Sequence, residues 1–185
     1  LLSKVVCFVV AILCGMLFAL IPAILKAKCN VNEMVVTLML NYAMAKTLEF
    51  LTTGIFRDKS AGYVATPTVP DAAMFHRIGT SRMTMFFVIA VIILIVMYFL
   101  MNKSKLGYEI TAIGKNPEFA EGTGMHVGRK IIIMMLISGA LEGIAGAGWM
   151  LSDQFKYTLS FSANPGLGWD GMLIFWVGIR RSVFL

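Results

Sequence analysis

The chain has 185 residues; 58% are hydrophobic and only 14% are charged, against roughly 25% charged in an average soluble domain. Its mean hydropathy is +0.81. A soluble domain of this size exposes much of its surface to water, so this composition excludes a soluble enzyme and a disordered chain. The net charge of +6 does not indicate nucleic-acid binding, because the sixteen Lys and Arg residues are scattered between apolar segments. We expect them to anchor helix ends at a membrane surface.

Four apolar segments have the length of membrane spans: residues 5–25, 34–51, 83–101 and 131–151. About 20 apolar residues, rising 1.5 Å each, cross a hydrocarbon core about 30 Å thick. The first segment is longer than the apolar region of a signal peptide, so we interpret it as a true span. The sequence therefore predicts an all-α fold, a polytopic helical membrane protein with about four transmembrane helices.

A fifth apolar segment, residues 169–179, is too short to cross a membrane alone. We interpret it as a truncated or re-entrant helix. Because the chain begins with Leu1 rather than Met and stops at Leu185 without a helix-ending signal, we expect residues 1–185 to be a partial transmembrane domain of a longer protein. Lys and Arg divide almost evenly between the two sides of the predicted spans, so charge alone leaves the orientation open.

The polar segment 102–130 predicts a short helix over about 116–124. Asn116 is a favourable N-cap, and Pro117 suits the first helical position. Carboxylates at positions 118 and 121 would stabilise the positive N-terminal end of that helix, and glycines at positions 122 and 124 can end it. Such a short helix either docks a cytoplasmic partner or only connects two spans, and the spacing leaves both interpretations open.

The fourth span contains small residues and one charge. Gly139 and Gly143 form a GxxxG pattern that Gly146 extends, which indicates close packing against another helix. Glu142 lies near mid-span, where a charge costs roughly 2.5–3.5 kcal/mol on insertion scales. We expect Glu142 to line a solute pathway or to be paired inside the helix bundle.

The second span carries polar residues near its middle. Asn41 and Tyr42 can hydrogen-bond either to a polar solute or to a neighbouring helix, and the sequence does not choose between these roles. Lys46 and Glu49 are three residues apart and can pair on one face of the helix. Asn41, Tyr42 and Glu142 are therefore the candidate pathway residues.

The sequence gives no sign of a catalytic site. It lacks the GxxxxGK[ST] pattern that cradles nucleotide phosphates, and His76 and His126 lie in separate polar segments without an HExxH pattern. Cys7, Cys14 and Cys29 lack the spacing of metal ligands, so we expect inert thiols. We expect no catalytic residue, no metal site and no cofactor in this chain.

Five stretches together resemble a known family. VNEM…TLMLNY covers residues 31–42, FRD…AGY…TP…VPD lies within 56–71, LGYE…AIGKNP…GMHV lies within 106–127, ISGAL…G covers 137–143, and GWDG covers 168–171. In this order they resemble the permease subunits of bacterial ABC importers for simple sugars and nucleosides. That family is shared with the ribose and branched-chain amino acid importers.

The resemblance implies a multi-pass permease subunit of the bacterial inner (cytoplasmic) membrane that moves a small polar solute. Its partners would be a second permease subunit (the same or a different chain), an ABC ATPase subunit that binds ATP and Mg²⁺, and an extracytoplasmic binding protein or lipoprotein. The helix at 116–124 would be the coupling helix, which places segment 102–130 in the cytoplasm and segment 52–82 outside. The implied ATPase-coupling residues are Gly114, Asn116, Pro117, Glu118, Phe119 and Gly124.

Two departures from the family pattern are visible. Glu142 stands where the family usually has a small apolar residue, and residues 179–185 do not continue the family's pattern. Two other interpretations therefore stay open. One is a non-transporting helical scaffold or inactive permease fragment, and the other is a proton-coupled secondary transporter that uses Glu142. The solute is not specified, although the resemblance is nearer to the nucleoside branch than to the ribose branch.

Overall fold

A computed structural model describes residues 2–58, 62–75 and 84–158, together with six residues between 168 and 177. The chain divides into two compact units. One unit comprises residues 1–43 and 68–155, and the other comprises residues 44–67 and 156–185.

Six α-helices account for most of the described residues. In chain order they are α1 Leu2–Cys29, α2 Glu33–Thr53, α3 Met85–Lys103, α4 Lys105–Lys115, α5 Pro117–Gly122 and α6 Val127–Trp149. A π-helical turn over Met150–Gln154 extends α6, and a 3₁₀ turn covers Asp71–Ala73. Within the described residues, α1, α2, α3 and the extended α6 are long and apolar enough to cross a membrane. The prediction of an all-α polytopic membrane protein is confirmed.

Helices α1 and α6 pack with their backbones in direct contact. A Cβ atom added to Gly139 would lie 2.6 Å from the carbonyl oxygen of Gly15 and 2.5 Å from the Cβ of Ala19. A Cβ on Gly143 would overlap the carbonyl group of Ala11. Because residue numbers fall along α6 as they rise along α1, the two helices are antiparallel. Only residues without a side chain allow so close an approach.

The end of α1 lies beside the start of α6. A Cβ on Gly128 would stand 3.8 Å from the carbonyl oxygen of Ala27, in ordinary contact. Lys26, Lys28 and Lys130 therefore lie at one end of the α1–α6 pair. These cations suit the boundary between hydrocarbon and water.

The other end of the α1–α6 pair holds a small apolar cluster. Ala73, Phe75 and Leu151 form its buried centre, and the N–H of Phe75 donates to the carbonyl oxygen of Leu151 at 2.9 Å. The Phe8 ring meets the Phe75 ring edge-on at 6.0 Å and stacks on Phe86 at 6.2 Å. The segment that follows the 3₁₀ turn is thereby fixed onto α1 and the extension of α6.

In the second unit, two extended stretches lie side by side. The N–H of Thr66 donates to the carbonyl oxygen of Tyr157 at 3.0 Å, and the N–H of Tyr157 donates to Thr66 Oγ1 at 3.0 Å. Ala65 forms an isolated antiparallel bridge with Thr158. Short extended pieces here agree with the Pro- and Gly-rich composition of the segment.

The interpretation of segment 102–130 as a polar loop with one short helix is wrong in part, because α4 fills Lys105–Lys115. Ser104 is the N-cap of α4, and its Oγ accepts from the N–H of Gly107 at 3.2 Å. Leu106, Ile110 and Ile113 repeat at helical spacing on its less exposed side. That pattern could have predicted α4.

The predicted fifth apolar segment, 169–179, falls largely outside the described residues. Those of its residues that the structure describes are 170, 171, 173, 174 and 177, and their backbone is helical. Their side chains are exposed. The choice between a re-entrant and a truncated helix stays a prediction.

Candidate functional site

One residue, Asn116, joins α4 to α5. Its backbone N–H donates to the carbonyl oxygen of Ala112 at 3.1 Å and closes α4. Its side-chain Oδ1 accepts from the N–H of Phe119 at 3.0 Å and opens α5. Pro117 takes the first helical position, where its missing N–H costs nothing because that group would have no partner within the helix. The bend between the two helices is therefore fixed by local hydrogen bonds.

A glycine-dependent cap ends α5. Gly124 has φ +85°, in the left-handed region that favours glycine. Its N–H donates to the carbonyl oxygen of Glu121 at 2.9 Å, and the N–H of Met125 donates to that of Ala120 at 3.1 Å. This pair of bonds is the Schellman motif. Both ends of α5 are thus held without any partner molecule.

Helix α5 has an inner and an outer side. Ala120 is completely buried, and α5 packs against both α4 and α6. On the outer side Phe119 is 66% exposed, and Glu118 is exposed as well. An exposed aromatic ring next to a carboxylate, on a helix that cannot unwind easily, is a surface suited to docking another protein.

A groove lies beside this surface. It is open to solvent, has a volume of about 420 Å³, and is lined by Glu121 and residues 124–129. His126 and Arg129 are exposed along it, at the start of α6. The groove and the outer side of α5 together form one continuous surface, which we call the α5 surface. It comprises residues 116–129.

Gly114 is the remaining predicted coupling residue. It lies near the end of α4, is exposed, and has no atom within 4 Å of the position that a Cβ would occupy. The structure therefore brings five of the six candidates, Asn116–Phe119 and Gly124, into the α5 surface. Gly114 adjoins that surface without any contact that requires glycine.

The small and polar residues of α6 differ in their exposure. Gly139 and Gly143 lie against α1, as described above. Ser138, Glu142 and Gly146, spaced four residues apart, are all exposed. A Cβ added to Gly146 meets no atom within 4 Å. The structure thus brings two of the three predicted packing glycines into contact with α1, whereas Gly146, on the same side of α6 as Gly139, is exposed and makes no such contact.

The other pathway candidates lie on α2. Asn41 is exposed, and Tyr42 is 71% exposed. Among the described residues, the structure gives no hydrogen bond that joins either side chain to Glu142. Further along α2, Lys46 Nζ and Glu49 Oε2 form an ion pair at 2.8 Å, which confirms the pairing predicted from their spacing.

One contact that the sequence does not predict joins α4 to α6. Glu109 of α4 and Lys130 in the first turn of α6 form an ion pair, and their side chains are only 13% and 24% exposed. No local sequence pattern predicts this pairing, because Asn116 and the whole of α5 lie between Glu109 and Lys130 in the chain. Only the helical pattern of α4 could have indicated that Glu109 turns toward the rest of the protein.

Metal ligands do not cluster in the part of the chain that the structure describes: there, no three His, Cys, Asp or Glu residues lie together in a way that would hold an ion. The cysteines at positions 7, 14 and 29 are free thiols. His76 lies outside the described residues.

Comparison with known proteins places the chain among transport proteins. The profile of a family described as "Branched-chain amino acid transport system / permease component" matches residues 2–184. The guanosine ABC transporter permease protein NupP of Bacillus subtilis is 31% identical over 91% of this chain and 49% of its own length. The nucleoside ABC transporter permease protein NupB of Lactococcus lactis is 29% identical over 92% of this chain and 49% of its own length.

A third relative comes from an archaeon. The glucose ABC transporter permease protein TsgB13 of Haloferax volcanii is 26% identical over 95% of this chain and 49% of its own length. The chain spans about half the length of these curated relatives. No solved structure matches it. A family match over almost the whole chain, with four apolar helices of spanning length, identifies a multi-pass inner-membrane protein that belongs to the branched-chain amino acid transport system permease family.

Proposed function

We propose that the chain is part of the permease subunit of an ATP-driven ABC importer, which moves a small polar solute across the inner membrane. The observation that carries this proposal is the α5 surface. It is a short capped helix with an exposed Phe119, held at one end of a pair of tightly packed apolar helices. The printed names of the relatives describe ABC transporter permeases.

In this proposal a separate ATPase subunit binds ATP and Mg²⁺ and contacts the α5 surface from the cytoplasm. Phe119 provides the apolar contact and Glu118 the charged one. Closure of the ATPase on ATP moves α5, and α6 follows because it packs against α5. Helix α1 follows α6, because the contact through Gly139 and Gly143 leaves no space for the two backbones to slide.

The solute pathway is assigned to the exposed side of α6 that carries Ser138 and Glu142, which we call its polar face, and to Asn41 and Tyr42 of α2. Glu142 is exposed on that face, and among the described residues no cation pairs with it. A carboxylate facing lipid would be costly, so we assign this face to water or to the second permease subunit. Helix α3 differs, because most of its exposed residues along the membrane span are apolar and suit lipid: Phe87, Val88, Val91, Ile92, Leu94, Ile95 and Val96.

We assign the solute to the nucleosides. Two of the relatives are named for guanosine and for nucleosides, whereas the third is named for glucose. An external binding protein or lipoprotein would deliver the solute at the end of the α1–α6 pair where Phe8 meets Phe75, opposite the α5 surface. Either an identical or a different second permease subunit would complete the pathway.

The proposal is tested by replacing Asn116–Phe119 with Gly and Ser in the full-length permease. Uptake of radiolabelled guanosine should fall to background, while immunoblots show the normal amount of permease in the membrane fraction. A Gly/Ser replacement of equal length at residues 28–31, at the end of α1 and in the link to α2, is the matched control. It lies at the same end of the α1–α6 pair and outside the α5 surface, so uptake should persist.

Unchanged uptake after the Asn116–Phe119 replacement would contradict the role assigned to α5. ATP-dependent uptake of radiolabelled glucose, but not of radiolabelled guanosine, through the unaltered permease would overturn the solute class alone.

A further inference from the structure

The ion pair between Glu109 and Lys130 is the most enclosed of the ion pairs among the described residues. Its two side chains are 13% and 24% exposed. The Lys26–Glu33 pair, which joins the end of α1 to the start of α2, is 30% and 48% exposed. The Lys46–Glu49 pair within α2 is 81% and 46% exposed. Ion pairs that are shielded from water are screened less by salt than exposed ones, and removal of one partner leaves a poorly solvated charge behind.

The Glu109–Lys130 ion pair connects the two helices that flank α5. Asn116 joins α5 to α4, and the turn at Gly124 joins it to α6. Glu109 lies about two helical turns before Asn116, and Lys130 lies in the first turn of α6. The ion pair therefore ties the two flanking helices to each other directly, on the far side of the two capped bends.

A six-residue helix cannot pass on a displacement by its own stiffness. The caps set the resting geometry of the two bends, but each rests on only a few hydrogen bonds. Without a direct tie between α4 and α6, a push on α5 would therefore turn it at the bends. With α4 and α6 held together, α5 and the start of α6 must move as one body. Ala120 of α5 and Val127 at the start of α6 are both buried.

We propose that Glu109 and Lys130 are positioning residues that lock α4 to α6 across α5, so that a displacement of the α5 surface is transmitted to α6 instead of being lost at the bends. This inference rests on the proposed function, since it assumes that a partner moves α5. It adds a specific pair of side chains through which the movement passes.

The experiment compares Glu109→Gln, Lys130→Met and the exchanged pair Glu109→Lys with Lys130→Glu in the complete importer, reconstituted in proteoliposomes with its ATPase and binding protein. Lys26→Gln, which breaks the more exposed Lys26–Glu33 pair at the same end of α1, is the control. The readout is the amount of guanosine transported per ATP hydrolysed. A general loss of folded protein lowers transport and hydrolysis together and leaves this ratio unchanged.

We expect each single variant to bind the ATPase and hydrolyse ATP normally, while transport per ATP falls about tenfold. The exchanged pair should recover most of that loss, and Lys26→Gln should match the wild type. A ratio that stays at the wild-type value in both single variants would overturn the inference. So would an exchanged pair that transports no better than the single variants.

A second measurement keeps the test independent of transport. Spin labels are placed at Gly122→Cys, where a Cβ meets no atom within 4 Å, and at Met134→Cys, which is 43% exposed on α6. In a background without other cysteines, the distance distribution between the labels should broaden in Glu109→Gln and Lys130→Met and narrow again in the exchanged pair. An unaltered distribution would show that the pair does not hold α5 to α6.

The two proposals fail differently. If the wild-type importer shows no ATP-dependent uptake, the proposed function fails whatever the spin labels show. If the wild type transports and the single variants keep both their coupling ratio and their label distances, only the locking role of Glu109 and Lys130 fails.

Discussion

A Cβ atom on Gly139 of α6 would lie 2.6 Å from the carbonyl oxygen of Gly15 on α1, well inside van der Waals contact. The opposing atom belongs to the backbone, so no change of rotamer can make room for it. The two helices therefore behave as one rigid pair. A displacement that reaches the start of α6 also reaches α1, which belongs to the same compact unit.

Alanine at Gly139 or Gly143 should destabilise the protein by about 1–3 kcal/mol, because either methyl group overfills the contact with α1. Thermal unfolding in detergent, followed by tryptophan fluorescence, measures the change. Gly146→Ala is the control, since its methyl group meets no atom within 4 Å and alanine favours helix. Equal unfolding temperatures for Gly143→Ala and Gly146→Ala would refute the packing assigned to Gly143.

Asn116→Ala should loosen the start of α5 by about 1 kcal/mol, because the N–H of Phe119 loses its side-chain acceptor. Hydrogen exchange measured by mass spectrometry over residues 117–124 should accelerate about fivefold. Asn116→Asp keeps an acceptor oxygen in place and should retain slow exchange. Equally slow exchange in the alanine variant would mean that the cap contributes nothing to α5.

Gly124→Ala should destabilise the end of α5 by roughly 1–2 kcal/mol, because an L-residue is strained at φ +85°. Steric overlap does not cause this destabilisation, since a Cβ at Gly124 meets no atom within 4 Å. Gly122→Ala is a matched control two residues earlier, inside α5 and equally free of contacts, where alanine should be neutral or stabilising. Exchange rates over residues 120–125 separate the two variants, and the reverse order would contradict the assigned cap.

Glu142→Gln separates the proposed importer from a proton-coupled transporter. In an ATP-driven importer, uptake stops when ATP is depleted and persists when the proton gradient is collapsed, in wild type and variant alike. We expect Glu142→Gln to retain uptake, because the amide stays polar, and Glu142→Leu to lose it, because the exposed polar face of α6 is interrupted. Uptake that survives ATP depletion and vanishes in Glu142→Gln would favour the proton-coupled alternative.

The membrane-spanning helices could be predicted from the sequence because lipid imposes a simple requirement on them. A run of about 20 residues that is almost free of charge satisfies its own backbone hydrogen bonds only as a helix. Predicted span 131–151 falls within α6 and its π-helical extension, and predicted span 5–25 falls within α1. The start of α5 at Asn116 and Pro117 could likewise be predicted, because helix capping depends only on residues that are neighbours in the sequence.

Contacts between distant residues could not be predicted in the same way. The close approach of Gly143 to Ala11 depends on which helix packs against α6. The GxxxG pattern of α6 does not specify that helix. The same pattern included Gly146, which is exposed and makes no such contact. The pairing of Glu109 with Lys130 depends on α4, and the polar composition of segment 102–130 does not predict that helix.

The antiparallel pairing of α1 with α6 also has a consequence for biogenesis. Gly15 and Gly139 are about 120 residues apart in the chain, so α1 leaves the ribosome long before its partner exists. At translation rates of about 5–20 residues per second, α1 spends roughly 6–25 s in the bilayer with its glycine face uncovered. During that interval insertion chaperones and membrane proteases can reach this face, and synthesis of α6 removes it from their reach.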